Sequence, residues 1–440
     1  MLAWLPAEGE RRRRLLAAAV YLLTTLVYLV CAAPETLREH TPYNHFALQA
    51  EAWLRGRLDL GGPPPLYAHG NDFARFDGQW FVPFPPLPAA LILPLVALAG
   101  GAPRVADGRF FVLLAGVAPA ALFAGLDKLR TRGDSARSER ENLGLAFAFA
   151  FGSVYFFSAE QGTVWYAAHV VGAGLAALYF SAAVGAERPW LAGLLLGLGF
   201  LARTPLLLAA PYFVFELART CLPKGTAWSP GAFASLDRPR FARGVAAFAL
   251  PVAALLALTL LYNRLRFGSA FEPGYRYLAI AWHARIEKWG LFGYHYLARN
   301  LGVILTSLPW LGGTADAPLR VSGHGLALWV TTPLYLWLLW PKSTKPPHWA
   351  LVATAAAVAL PTLLYQNSGW VQFGYRFSND YAVFLFALLA VGGRPFGRLF
   401  WGLGACAVAL NAFGALTFAR PAGAGVYVIE GTQRVIYEPD

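Results

Sequence analysis

Long apolar runs recur along the chain, separated by short polar or proline-rich interruptions, and this pattern predicts most of its elements. A helix crossing a hydrocarbon core needs about 20 mostly apolar residues. Runs of that kind predict spans at residues 15–33, 109–126, 142–158, 165–185, 244–262, 325–340, 349–366, 381–393 and 399–416. Two further apolar segments are too short or too broken to cross. Pro85 to Ala99 carries Pro85, Pro86, Pro88 and Pro94, and Leu191 to Leu217 is interrupted at Arg203-Thr204-Pro205. Each reads as a re-entrant or hairpin element. The expected fold is all-α, a polytopic membrane protein of about 9–11 transmembrane helices plus short re-entrant segments.

Composition agrees. Of 440 residues, 57% are apolar and 14% charged, which excludes a disordered chain and argues against an ordinary soluble enzyme. Cys31, Cys221 and Cys406 lie far apart, so no disulfide framework or zinc site is readable. Arg11 to Arg14 precede the first apolar run, which is longer than a usual signal-peptide core and is read as a retained span. The net charge of +12 orients the spans, because Lys and Arg in short loops stay cytoplasmic. If Pro85–Ala99 does not cross, the basic clusters at 11–14, 128–140, 219–243, 342–345 and 394–398 all fall inside. The N-terminus is then cytoplasmic and the C-terminus external. The charge excess is topological and gives no reason to expect nucleic acid as a partner. Residues 1–416 form one transmembrane domain, with external loops at 34–83 and 263–324 and a short external tail at 417–440.

The long external segments carry the candidate chemistry. Thr41-Pro42 has the form of a helix start, and Tyr43, Phe46, Ala50, Trp53 and Leu54 follow at helical spacing, predicting an amphipathic helix on the membrane surface. Its polar face offers Asn44, His45, Gln49, Glu51 and Arg55, followed by Arg57 and Asp59. Glu51 and Arg55 also have the spacing of an ordinary helical ion pair. Asp72 and Asp77 lie just before an aromatic belt of Trp80, Phe81 and Phe84. A carboxylate near a bilayer feels a lowered dielectric, which raises its pKa and suits a general base. Asp77-Gly78 reads as a turn. Asp72 is the leading candidate base, with Asp59 and Glu51 behind it.

The runs YNHFALQAEAWLRGRLDL and DGQWFVPFPPLPAALILPL resemble the first external loop of the GT-C superfamily of membrane glycosyltransferases, in its branch of dolichyl-phosphate-mannose and aminoarabinose transferases. Ala50 and Gly56 match an A-x5-G element of that branch, and Pro85-Pro86-Leu87 matches its PPL run. The acidic pair that precedes the element in those enzymes falls here on Pro42 and Tyr43, so their catalytic acid does not carry over. NRLRFGSAFEPGYR, with Arg264, Arg266 and Arg276, is similar to the FGS-x-GY segment of bacterial members, and GYRFSND, with Arg376 and Asp380, resembles a GYR-x3-D segment of related transferases.

The resemblance implies transfer of a sugar from a polyprenyl-phosphate carrier on the non-cytoplasmic face of a bacterial-type inner membrane. The acceptor would be a glycan, a lipid or a protein, with membrane lipid as surroundings. Asn44, His45, Arg57, Arg264, Arg276, Arg376 and Asp380 are the candidate binding residues, the arginines because guanidinium binds phosphate in a fork and keeps its charge. No cofactor is demanded and no metal ligands are assigned, although a divalent metal is compatible with such a reaction. No phosphate loop, metal triad or nucleophile elbow is visible. The competing readings are a lipid or solute transporter and a non-catalytic relative of the GT-C fold. Arg203, inside an apolar run, needs a partner, water or a snorkelling path.

Overall fold

In the computed structural model the described residues are 9–430, apart from 224, 225, 227 and 281. The last ten residues of the expected tail therefore lie outside them. The chain opens with α1 (Glu10–Cys31), followed by α2 (His45–Leu54), a small antiparallel hairpin of β1 (Ala74–Phe76) and β2 (Gln79–Phe81), and α3 (Leu87–Ala99). Next come α4 (Asp107–Thr131), α5 (Glu139–Phe151), α6 (Tyr155–Ala159) and α7 (Val164–Ala183). The second half adds α8 (Pro189–Phe200), α9 (Ala210–Cys221), α10 (Arg238–Phe267), α11 (Leu297–Thr306), α12 (Pro346–Leu363), α13 (Ala382–Val391) and α14 (Arg398–Thr417). Strands β3 (Trp310–Leu311), β4 (Leu319–Ser322) and β5 (Tyr427–Glu430) form a second small sheet in which β5 runs parallel to β4. Among the described residues, five helices are long and apolar enough to cross a membrane: α1, α4, α7, α10 and α14.

Helix ends follow local chemistry. The hydroxyl of Ser138 accepts from the Glu141 N–H while the Glu141 carboxylate accepts from the Ser138 N–H, a capping box that starts α5. Asp237 caps α10, which stops at Gly268 in the left-handed conformation. Where α8 crosses α10, a Cβ on Gly193 would lie 2.0 Å from the Phe248 carbonyl oxygen, so only glycine permits this approach.

Several expected elements differ. Residues 325–340 are not one helix: a turn at Leu328–Thr331 gives way to a 3-10 segment at Pro333–Leu339, because Pro333 drives Thr332 out of the helical region, to φ −137° and ψ 71°. The run at 142–158 breaks at Gly152-Ser153 between α5 and α6. The helix within 381–393 has only ten residues, all but one of them buried, and stops before Gly392-Gly393. Leu191–Leu217 is two helical legs, α8 and α9, with Arg203 at the break. The helix expected from Thr41 starts at His45, and Thr41 instead bonds Asp107 through its N–H and hydroxyl at 2.7 and 2.8 Å. Moreover α2 buries His45 through Ala50 against protein, including α3, and presents no continuous polar face. The two small sheets modify the all-α expectation, although helices dominate.

The bundle has two distinct ends. At one, Arg12 pairs with Glu139 at 2.7 Å, Arg13 with Asp127 at 3.5 Å, Arg219 with Asp134, and Arg137 donates to the Arg394 carbonyl at 2.7 Å. Four of the five clusters expected to be cytoplasmic thus meet at one end. The other end carries the 34–83 and 263–324 segments. Thr41, after α1, binds Asp107, at the start of α4, so the intervening chain, α3 included, leaves and re-enters the bundle at this loop end.

Candidate functional site

The loop end gathers charged groups at the first turns of α7, the Arg203 break and the turn before α13. The N–H of Leu87 donates to the Leu201 carbonyl at 3.0 Å, tying α3 to that break. Arg203 then lays its side chain across α7, where a Cβ on Gly172 would lie 2.4 Å from Arg203 Cγ. Its guanidinium forms a fork with Asp380, Nε to Oδ1 at 2.9 Å and Nη2 to Oδ2 at 2.7 Å. Such a bidentate pair is both strong and directional. Asp380 is fully buried and also lies 3.3 Å from Nδ1 of His169 on α7. Asp380 thus pairs with Arg203, 177 residues away, and not with Arg376, four residues before it. The reason is the 3-10 turn at Arg376–Asp380, which aims the two side chains differently.

Arg376 is held mostly by neutral groups. Its Nη1 donates to the Gly369 carbonyl and, at 3.2 Å, to Gln372 Oε1, and the guanidinium lies 5.3 Å from the Tyr166 ring. Phe377 has Arg376 and Arg203 at 5.5 and 5.3 Å from its ring centre. Cation and ring attract at such distances.

Asp72 approaches from the first loop. Its backbone is left-handed, with φ at +60°, a conformation that Asp tolerates better than most residues. Oδ2 accepts from the Trp165 indole N–H at 2.7 Å, on the first turn of α7. On its other side the loop is fixed by His45, which bonds the Asn71 carbonyl at 2.8 Å and stacks on Phe73 at 4.1 Å. Tyr67 donates to Asn44 at 3.3 Å. Asn44 and His45 are both buried and hold the loop that carries Asp72.

The two carboxylates are pushed apart electrostatically. Burial raises the Asp72 pKa, with the Trp165 bond and the Arg376 charge only partly opposing it. Burial also disfavours the charged form of Asp380, yet Arg203 and His169 outweigh it and bring its pKa down to about 2. Opposite displacement of neighbouring acids is the arrangement that separates a proton-accepting group from a permanently charged one. Tyr275 and Tyr365 lie within the field of Asp72 and Arg203, and both remain partly exposed, as do Asp72 and Arg203. The cluster therefore has an opening.

The other candidates sit elsewhere. Glu51 pairs with Arg55 at 2.6 Å, the ordinary helical pair. Asp59 accepts from Arg57 at 2.7 Å and from the Gly61 N–H at 2.6 Å. Slight burial opposes its ionisation, but these two bonds hold its pKa below the usual value. Arg264 is exposed on the last turn of α10, and Arg276 is exposed 3.8 Å from Glu272. Asp77 and Gly78, with φ of 48° and 73°, form the hairpin turn between β1 and β2. Among the described residues no group of three or more His, Cys, Asp or Glu gathers as a metal site would require.

Sequence reasoning missed Trp165, His169, Tyr275 and Tyr365 and left the partner of Arg203 open. His169 did carry a signal, since a lone imidazole in an apolar run must be satisfied by something.

No protein-family profile and no curated protein sequence matches the chain. Three solved structures resemble it at low identity. A crystal structure of the Archaeoglobus fulgidus oligosaccharyltransferase in the apo form is 12% identical with a TM-score of 0.50, over 91% of this chain and 56% of that one. The same organism's oligosaccharyltransferase AglB, in complex with an inhibitory peptide and a dolichol-phosphate, gives 11% and 0.43, over 95% of this chain and 56% of that one. A third structure, tethered to an acceptor peptide, gives 13% and 0.46 with the same coverages. The chain thus spans little more than half the length of the proteins it resembles. The first likeness is one of fold alone.

Proposed function

We propose that this chain is an inverting glycosyltransferase that moves a sugar from a polyprenyl-phosphate carrier to an acceptor hydroxyl at the loop end of its bundle. The observation that carries this reading is Asp72, held by the Trp165 indole in the field of the Arg376 guanidinium and partly exposed, as are Arg203, Tyr275 and Tyr365. Trp165 fixes Oδ2 of Asp72, and Oδ1 takes the proton of the acceptor hydroxyl. The acceptor oxygen attacks the anomeric carbon as the bond from that carbon to the carrier phosphate breaks. One displacement inverts the centre. The carrier leaves as a phosphate monoester with one more negative charge than the diester, and Arg376 and Arg203 stabilise that developing charge. The proton on Asp72 then passes to water or to the departing phosphate. Asp380 holds Arg203 in place, and His169 supports Asp380.

In this reading residues 1–416 form one membrane domain of a bacterial-type inner membrane. The end bearing Arg12, Arg13 and Arg219 faces the cytoplasm and the loop end faces outward. The meeting of four basic clusters at one end supports that orientation. Acceptors compatible with an outward site are glycans, lipids and proteins, and the steps above need no metal. Arg57, Arg264, Arg276, Glu51 and Asp59 have no role in the chemistry. The test is a panel of radiolabelled polyprenyl-phosphate sugars offered to purified protein in proteoliposomes, with Asp72→Asn and Arg376→Ala alongside. Label leaving the carrier with wild type but with neither variant supports the reading. Full release by Asp72→Asn, or none from any donor with wild type, counts against it.

A further inference from the structure

Helix α11 is turned inside out with respect to water. Its polar groups face the protein: Arg299 is 1% exposed and donates to the Tyr365 carbonyl at 3.2 Å, and Asn300 is fully buried. The Asn300 amide donates to the carbonyls of Leu363 and Tyr365, both at 2.9 Å, satisfying acceptors left open at the end of α12. Val303 completes the buried side. The outward side carries Ala298, Leu301 and Leu305, spaced three and four apart, with Leu305 56% exposed. The apolar surface runs on past the helix through Leu308 and Leu311, the latter 78% exposed, and precedes it at Phe292 and Tyr294. Exposed charges stand only at the ends of this stretch: Glu287 and Lys288 before it, Asp316 after it, and none from Trp289 to Ala315.

A helix beside water turns its polar residues outward and its leucines inward, so the reversed order fits a surface met by hydrocarbon. Two neighbours carry the same surface on. The helix α12, whose end α11 covers, exposes Trp349, Ala353, Ala356 and Leu360 as one stripe without a charge. Trp329, also exposed, donates its indole N–H to the Leu305 carbonyl at 2.9 Å, and the turn that bears it packs on α14, which exposes Phe413 and Leu416. That last helix is one of the five long and apolar enough to cross a membrane. The open face of α11 thus continues the apolar belt of the bundle. With ten residues α11 is about 15 Å long, half of a ~30 Å hydrocarbon core, so it does not cross. Its seat against the last turn of α12, with Tyr294 and Trp329 beside it, is the depth at which hydrocarbon gives way to headgroups.

We propose that α11 and the chain that follows it to Leu311 lie in the lipid leaflet at the loop end, with Leu301, Leu305, Leu308 and Leu311 against acyl chains. The partner of this face is the bilayer itself. Part of the 263–324 segment, expected as an external loop, then belongs to the membrane. The proposal rests on the membrane character of the bundle and not on the transferase reading.

The test places a nitroxide at Leu305→Cys, Leu311→Cys, Glu287→Cys or Asp316→Cys, one at a time, in full-length protein that also carries Cys31→Ala, Cys221→Ala and Cys406→Ala. Leu258→Cys, on the exposed side of α10, is the lipid-facing reference. The protein is reconstituted in vesicles of phosphatidylcholine and phosphatidylglycerol. Paramagnetic resonance then reads relaxation by oxygen, which concentrates in hydrocarbon, and by a nickel chelate, which stays in water. Labels at 305 and 311 should match the one at 258, oxygen outweighing the chelate, and labels at 287 and 316 should show the reverse. Chelate reaching 305 as readily as 287 overturns the proposal, because the face is then wet. Shielding of 305 from both reagents also overturns it, because a second copy or another protein then covers the face. Should the cysteine-free background fail to fold, unaltered protein in the same vesicles is cross-linked with a phosphatidylcholine bearing a diazirine on its acyl chain, and the adducts are mapped by mass spectrometry. Adducts within 301–311 as well as on α10 are expected; adducts on α10 with none at 301–311 overturn the proposal. Neither measurement needs turnover, so a negative donor panel removes the transferase reading and leaves this one standing.

Discussion

Both ends of the bundle hold buried arginines and acids, but they satisfy them differently. At the basic end, Arg219 is shared between Asp134 and Glu216, and Glu216 in turn accepts from the Gly185 N–H at 2.7 Å. These charges answer one another and sew α9 to the turn after α7. At the loop end, Arg376 rests on a carbonyl, an amide and aromatic rings, and Asp72 rests on an indole. Beside them Asp380 and Arg203 form a closed pair, as buried Glu160 does nearby with Arg420. A charge propped by neutral groups keeps most of its field for whatever enters, whereas a charge matched by its opposite is already neutralised. On the transferase reading, the contrast separates a structural cluster from one that meets a ligand.

The sharpest way to break this contrast is Asp72→Asn. It keeps the shape and the Trp165 bond but removes the proton acceptor, so transfer should fall by roughly 10²–10⁴-fold while thermal stability stays near wild type. Arg376→Ala should follow, with a loss on the order of 10²–10³ in kcat for transfer to a fixed acceptor. Next comes Arg203→Gln, which strands Asp380 as a buried unpaired charge. Destabilisation of about 3–5 kcal/mol is expected, read by chemical denaturation in detergent, and Asp380→Asn in the same chain should recover part of it.

Two further predictions concern pH. The folded-state pKa of Asp380 lies below its unfolded value, so its contribution to stability is complete above about pH 4 and is lost as pH falls through about 2. A stability profile of Asp380→Asn should lack that acid limb. Asp72 has a raised pKa and must be ionised to act, so kcat/KM should fall as pH drops through it. Trp165→Phe removes a bond that opposes the rise and should move that limb to higher pH. The smallest effect belongs to Glu51→Gln and Asp59→Asn. Each sits with its own surface arginine, so activity should change by less than about twofold and stability by ~0.5 kcal/mol or less.

The membrane character and most helix positions were legible because apolar length is a strong, local signal. What failed was local in appearance but tertiary in cause. Thr41-Pro42 has every mark of a helix start, yet its hydroxyl is taken by Asp107, 66 residues away. The 325–340 run has the right hydropathy, but Pro333 bends its backbone. In the site, Asp72 could be singled out from its place before an aromatic belt, and Arg203 from its apolar surroundings. Their partners could not, because Trp165 is 93 residues from Asp72 and Asp380 is 177 from Arg203. Arg376, four residues before Asp380, is not its partner, since that interval favours pairing in a regular helix and the turn here is 3-10.

The central claim is that the carboxylate of Asp72 accepts the proton when the anomeric bond changes hands. Single-turnover release of labelled sugar from a donor that wild type uses, measured side by side for wild type and Asp72→Asn in the same lipid, tests it most directly. The account predicts rapid release by wild type and nearly none by the variant, both folded to the same melting temperature. Equal rates would contradict it.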